Sequence, residues 1–285
     1  MTHAGSETRR GSMIGMCARA ATAAALAITM SWSTAQSARS AEADDSWREI
    51  ANNVFNGHQL ADGSQLITLE MPERAEDAAV VPVTMRANLP PGDTRTLRSL
   101  TLVIDENPSP VAATFNVGPS VTMISTRVRV NSYTKVHAVA ELSDDQFYVA
   151  EIYVKASGGC SAPMASNVEE AAARLGQIRF RQFTKNSGAP ATAPREAQIM
   201  IHHPNNSGLQ RDQVSLLYIP LFIVRQLRLW QGDQLILQID GGISISENPN
   251  IRFSYLPNGA SMFRAEAVDT EGHVFRGEWP VEPTM

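Results

Sequence analysis

Apolar and polar positions alternate along most of this chain, the period-two signature of half-buried strands. In the first half the alternation predicts strands over Leu66–Glu70, Val80–Asn88, Leu100–Ile104, Val111–Val117, Thr126–Val130, Val136–Leu142 and Phe147–Val154. Turn residues separate them: Pro90-Pro91-Gly92-Asp93, Gly118-Pro119 and Ser143-Asp144-Asp145. In the second half the same signal predicts Ile178–Phe183, Gln198–Ile201, Phe222–Leu229, Gln234–Ile239, Ile251–Tyr255, Ser261–Val268 and His273–Trp279. Short strands with frequent turn signals point to β-sandwiches.

Two short helices interrupt the pattern. Ser46 and Glu49 have capping-box spacing, and Trp47, Ile50, Ala51 and Val54 fall on one face. Farther on, Asn167 can cap a helix over Val168–Leu175 that Gly176 ends. The polar Ala/Pro/Thr/Gly-rich stretch Asn186–Pro194 reads as a loop or linker.

The halves also echo one another. Leu100–Asp105 runs into Glu106-Asn107-Pro108 and then a strand; Leu235–Asp240 is followed by Glu247-Asn248-Pro249 and then a strand. Each half closes with a hairpin, turning at Ser143-Asp144-Asp145 and at Thr270-Glu271-Gly272. The repeated order predicts duplication, hence an all-β protein of two related β-sandwiches in tandem.

An apolar fraction of 43% supports sizeable cores. The net charge of -5, without a Lys/Arg cluster, argues against nucleic acid as a partner. The first 43 residues have the order of an export signal: Arg9, Arg10 and Arg19, an apolar stretch from about Ala20 to Met30, then small residues to Ala43. That stretch is too short to span a membrane, and no later segment is long enough.

Removal of residues 1–43 would take Cys17 with it and leave Cys160 as the single thiol. An exported chain with one leftover cysteine carries either an intermolecular disulfide or a free, reactive thiol. Cys160 lies in Ser157-Gly158-Gly159-Cys160-Ser161, where small residues predict a slim, mobile arm that offers its sulfur outward. Tied at both ends, such an arm projects at most roughly 15–18 Å.

On these residues the chain resembles a fused SoxY–SoxZ protein of the sulfur-oxidation carrier family, in particular the quinoprotein dehydrogenase-associated SoxYZ-like carriers. The SoxY-like marks are Val103–Phe115, Thr126-Arg127-Val128-Arg129-Val130-Asn131 and Gly158-Gly159-Cys160. The SoxZ-like marks are His203-Pro204 with Ser207-Gly208, Tyr218-Ile219-Pro220 and Ser246-Glu247-Asn248-Pro249. The resemblance implies an all-β fold of two Ig-like β-sandwich domains in tandem, with a signal peptide (1–43), a SoxY-like domain (44–156), a cysteine arm with connecting helix (157–176) and a SoxZ-like domain (177–285).

It further implies a periplasmic carrier rather than an enzyme. Cys160 would hold a sulfur intermediate covalently, and the arm residues Ser157, Gly158, Gly159 and Ser161 would present it. The partners implied are periplasmic sulfur-oxidation enzymes or a quinoprotein dehydrogenase with its cytochrome c, and the two domains would pair within the chain through an apolar contact. No cofactor is expected beyond the adduct itself. The family tail ends soon after its cysteine, whereas here Ser161-Ala162-Pro163 leads on into the second domain. Two other roles remain open at the level of sequence: a docking module for a PQQ-dependent dehydrogenase, and a thiol redox component. No metal site is expected, because the adjacent His202 and His203 would point to opposite faces of a strand.

Overall fold

The computed structural model describes residues 1–2, 46–163, 168–183 and 193–282. The expected export signal (1–43, beyond its first two residues), the expected Asn167 cap and nearly all of the expected 186–194 linker lie outside the described residues. The chain divides into two units at Asn53 and Val54. Before the division, residues 46–53 are helical (α1), with Trp47, Ile50 and Ala51 half-buried and Arg48, Glu49, Asn52 and Asn53 exposed, as their spacing predicts.

After the division the described residues form fifteen strands and one short helix. The first half supplies β1 (Leu60–Asp62), β2 (Ile67–Glu70), β3 (Val81–Ala87), β4 (Leu97–Ile104), β5 (Val111–Val117), β6 (Met123–Val128), β7 (Thr134–Leu142) and β8 (Phe147–Val154). After helix α2 (Val168–Ala173) come β9 (Ile178–Phe183), β10 (Arg195–Ile201), β11 (Val224–Gln231), β12 (Gln234–Gly241), β13 (Asn250–Tyr255), β14 (Met262–Asp269) and β15 (Val274–Pro280). The three-residue β1, parallel to β8, carries too few positions for an alternating pattern and has no counterpart in the sequence reading.

The strands form two sheets, one ordered β1-β8-β7-β4-β5-β12-β11-β14-β15 and the other β2-β3-β6-β13-β10-β9. The duplication is visible in this order. Strands β2 to β8 visit the small and large sheets in the sequence small, small, large, large, small, large, large, and β9 to β15 repeat it. Equivalent strands are therefore β4 and β11, β5 and β12, β6 and β13.

The Glu-Asn-Pro echo is offset by one strand. Glu106-Asn107-Pro108 joins β4 to β5 within the large sheet, whereas Glu247-Asn248-Pro249 joins β12 to β13 across the sandwich. Duplication holds on topology, and the tripeptide does not mark equivalent positions.

The halves pair differently from the expected contact between separate sandwiches. Strand β5 lies antiparallel to β12 from Ala113↔Gly241 to Val117↔Leu237, and β6 meets β13 at Ser125↔Arg252 and Ile124↔Phe253. Both sheets thus run unbroken across the junction, which also pairs edges that would otherwise be open to other chains. One core fills the space between the layers, with Met85, Leu100, Phe115 and Ile124 from the first half and Ile199, Leu237, Phe253 and Phe263 from the second. At the seam a void of only about 20 Å³ is lined by Phe115, Ile201, Val224, Leu227, Ile239 and Ile251.

Because Phe115 is fully buried at this seam, Phe115→Ala should destabilise the protein by about 3–5 kcal/mol. Trp230 and Trp279 sit in the other half. In urea unfolding, with Trp32→Phe and Trp47→Phe as background, their fluorescence midpoint should fall together with the loss of strand circular dichroism. Tryptophan signals that kept their original midpoint would mean the halves unfold independently.

Candidate functional site

The arm begins where β8 ends. Lys155 bridges in parallel to Arg74, with its N–H donating to the Glu73 carbonyl and its own carbonyl accepting from Ala75. Its ammonium pairs with the Glu73 carboxylate, holding that carboxyl below its ordinary range. Lys155 is thus a strand-end residue and not the cation that acts on the thiol.

Beyond Lys155 the chain does not project as a mobile arm. Gly158 N–H donates to the Asn131 carbonyl (2.8 Å) and Gly159 N–H to the Val130 carbonyl (3.1 Å). Ser157 and Ser161 are exposed, while Gly159 and Cys160 are buried, Cys160 completely. The expectation of an outward-facing sulfur is corrected here: Cys160 is a free thiol and is fully buried.

The two glycines make that seat sterically possible. Gly158 adopts φ 78°, a region costly for other residues. At Gly159 a Cβ would lie 2.0 Å from the Ala78 carbonyl oxygen and 2.7 Å from that of Val130. The pair serves close approach rather than looseness.

The second half closes the seat. Ser207 Oγ donates to the Cys160 carbonyl (2.5 Å), and Gln210 Nε2 donates to the Ala162 carbonyl (3.0 Å). The Ser207 N–H in turn donates to Gln210 Oε1, which fixes both clamps relative to each other. The outer flank of the arm, at Ser161 and Pro163, borders an open groove of about 510 Å³ whose far wall includes Leu209, Arg211, Leu216 and Tyr218.

The floor of the seat is the segment 129–131, just past β6. Asn107 holds it: its Nδ2 donates to the Arg129 carbonyl and to Ser244 Oγ, and its Oδ1 accepts from Asn131 N–H. Arg129 N–H donates to the Ser244 carbonyl, and Arg129 Nη2 reaches the Asn205 carbonyl at 3.3 Å. The Arg129 side chain is buried and its Nε has no hydrogen-bond partner.

Two opposing effects act on the thiol. Burial pushes its pKa up, and the Arg129 guanidinium pulls it down; burial prevails, leaving it at about 11. Cys160 is therefore a neutral thiol at physiological pH, and thiolate is the nucleophilic form. While the arm is seated, the sulfur is both shielded and protonated.

The histidines do not build a metal centre. His203 is buried, and its Nδ1 accepts from Asn205 N–H. Burial lowers its pKa to about 4, and its Nε2 stands 3.7 Å from Asp269 Oδ2. Among the described residues no group of three or more His, Cys, Asp or Glu could hold a metal ion. No described helix is long and apolar enough to cross a membrane.

Of the site residues expected from sequence, Ser157, Gly158, Gly159, Cys160 and Ser161 are contiguous in the seated arm. Arg129, Ser207 and Gln210 were not foreseen as site residues, although Arg129 and Ser207 lie inside stretches that carry the family resemblance.

Comparison with known proteins divides the chain along the same lines. The family described as "Sulfur oxidation protein SoxY" matches residues 51–160, ending at the cysteine, and "Sulphur oxidation protein SoxZ" matches residues 184–280. Among solved structures the chain is similar to the sulfur carrier protein SoxY from Chlorobium limicola f thiosulfatophilum, at 24% identity and a TM-score of 0.35, over 41% of this chain and 96% of that one. It is also similar to the superoxide reductase (neelaredoxin) from Ignicoccus hospitalis, at 12% identity and a TM-score of 0.28, over 31% of this chain and 78% of that one. No curated protein matches the chain.

Two outcomes follow from the seat. Ser207→Ala removes one hydrogen bond and should raise the rate of Cys160 alkylation by iodoacetamide about five- to tenfold. Gly159→Ala, which has no room for its methyl group, should raise the rate more; unchanged rates would mean that the contacts at the arm do not control access. The pKa shift gives a second outcome. The thiol titrates later when seated than when free, so its contribution is complete below pH 9.0 and is lost as pH rises toward about 11. Over that window the protein should lose up to about 2–3 kcal/mol of stability, and Cys160→Ala should flatten the loss. Denaturant midpoints measured from pH 8 to 11 test it.

Proposed function

In a chain that belongs to the SoxY and SoxZ sulfur-oxidation families, one half to each, we propose that Cys160 is the covalent attachment point for a sulfur intermediate and that the protein is a periplasmic carrier. The observation that carries this role is the position of the one described thiol: it ends the SoxY-matched region and sits on a segment held by few, separable contacts. The proposed function is presentation rather than catalysis, a role that a neutral, shielded thiol fits if a partner activates it.

A seated thiol is compatible with delivery if the arm can leave. Its holding contacts are the two glycine N–H bonds and the Ser207 and Gln210 clamps. At about 1 kcal/mol net apiece, these four bonds amount to about 4 kcal/mol. That corresponds to about one molecule in a thousand open at any moment, since each 1.4 kcal/mol is tenfold. A partner enzyme that binds the released arm offsets this readily, and it supplies the environment that ionises the thiol. Thiolate then attacks an S–S bond, and cargo joins Cys160 as the leaving sulfur departs with the electron pair. Sulfur-oxidation enzymes fit as partners on the family membership; a quinoprotein dehydrogenase system is the alternative docking partner.

Burial also favours this role over a disulfide-bridged dimer, because a fully buried sulfur meets no second chain until the arm opens. Intact-mass measurement of the protein from native periplasm tests the proposal. A sulfur-bearing mass increment that maps to Cys160 and disappears in Cys160→Ser is expected, together with loss of sulfur-oxidation capacity in that variant. A permanently bare thiol and an unaffected Cys160→Ser strain would overturn it.

A further inference from the structure

Arg129 is a strange neighbour for a neutral thiol. Among the described residues it is the largest fully buried side chain, 1% exposed, and burial of its charge lowers its pKa. Its Nη2 has a long contact to the Asn205 carbonyl and its Nε has no partner. A buried guanidinium in this condition is costly unless some anion compensates it. The groups acting on it are Glu247 first, then Cys160, then Asp77. The backbone geometry brings the sulfur here independently of those charges. Arg129 immediately precedes Val130, the acceptor for Gly159, and its guanidinium reaches Asn205, two residues from the Ser207 that clamps Cys160.

The guanidinium does not ionise the thiol, which stays protonated in the seat. The Nε–H of Arg129 has no acceptor in the bare protein. Oxidised sulfur groups joined to a cysteine sulfur end in anionic oxygens, and planar N–H donors match such oxyanions well.

We propose, building on the carrier role above, that Arg129 is the positioning residue for a negatively charged, sulfonate-type group carried on Cys160, so that the seat recognises the loaded arm by its charge. The bare thiol leaves Nε of Arg129 unpaired; an S-linked oxyanion supplies its acceptor. No bond forms or breaks in this recognition. Charge on the cargo shifts the arm toward its seated state, and a neutral cargo does not.

The test uses a pair of stable adducts of similar size on the full chain in a Cys17→Ser background. Alkylation of the unfolded chain with iodoacetate places a carboxylate on Cys160 with loss of iodide, and iodoacetamide places the neutral amide. After refolding, arm release is read as the rate of proteinase K cleavage within residues 156–163, located by mass spectrometry. The carboxymethyl protein should be cleaved about tenfold more slowly than the carbamidomethyl protein, the scale of one charge-assisted hydrogen bond. Arg129→Gln should abolish the difference and Arg129→Lys should retain part of it.

The wild-type pair decides the matter even if Arg129→Gln fails to fold. A buried pair is weakly screened, so the preference should persist in high salt. Equal cleavage of the two adducts, a preference that collapses with salt, or one that survives Arg129→Gln would each overturn the inference. These failures differ from that of the carrier role itself, which is read from the absence of any native adduct on Cys160.

Discussion

The pairing of β5 with β12, together with β6 with β13, is the constraint on which everything else in this molecule depends. It joins two duplicated halves edge to edge, so that two sheets and one core serve both. It also creates the seat of the cysteine. Val130 and Asn131 on one side of the seam and Ser207 and Gln210 on the other hold the same short stretch of chain. Neither half alone can seat the arm. Joining the halves in one chain keeps the seam at the high effective concentration of an intramolecular contact.

The glycines illustrate how one composition supports two opposite states. Gly158 and Gly159 predict mobility, and in a released arm they supply it. In the seated arm they act by what they lack. No side chain at 159 collides with the Ala78 carbonyl, and the left-handed backbone at 158 carries no strain. A residue with a Cβ would weaken the seated state before it stiffened the released one.

Much of this was legible in sequence. Alternation located most of the strands because they put a face into a common core, and Cys160 stood out because its surroundings are small. What escaped notice follows from the physics of those signals. Edge pairing between β5 and β12 is made by backbone atoms and leaves the same alternation as any other strand contact. The tripeptides around Asn107 and Asn248 look alike because each asparagine hydrogen-bonds backbone across the structure, one at Arg129 and Asn131 and the other at His203, although their connections differ. Arg129 follows Arg127 in strand-like alternation, yet the chain has left β6 at Val128, so its side chain turns inward while Arg127 stays half-buried. The inward position of Cys160 depended on a clamp 47 residues distant, which no local pattern contains.

A carrier needs a sulfur that is inert between encounters and nucleophilic during them. The seat meets the first need twice over, by covering the atom and by keeping it protonated. Both protections have a common origin, because the burial that blocks approach is also what raises the thiol pKa. Undocking therefore removes them together. Once in water the thiol returns toward its ordinary titration range, and its thiolate fraction rises by about a hundredfold for two pKa units. In the proposed carrier role, a partner that captured the arm would gain access and reactivity in a single conformational step, with no activating base required in the carrier.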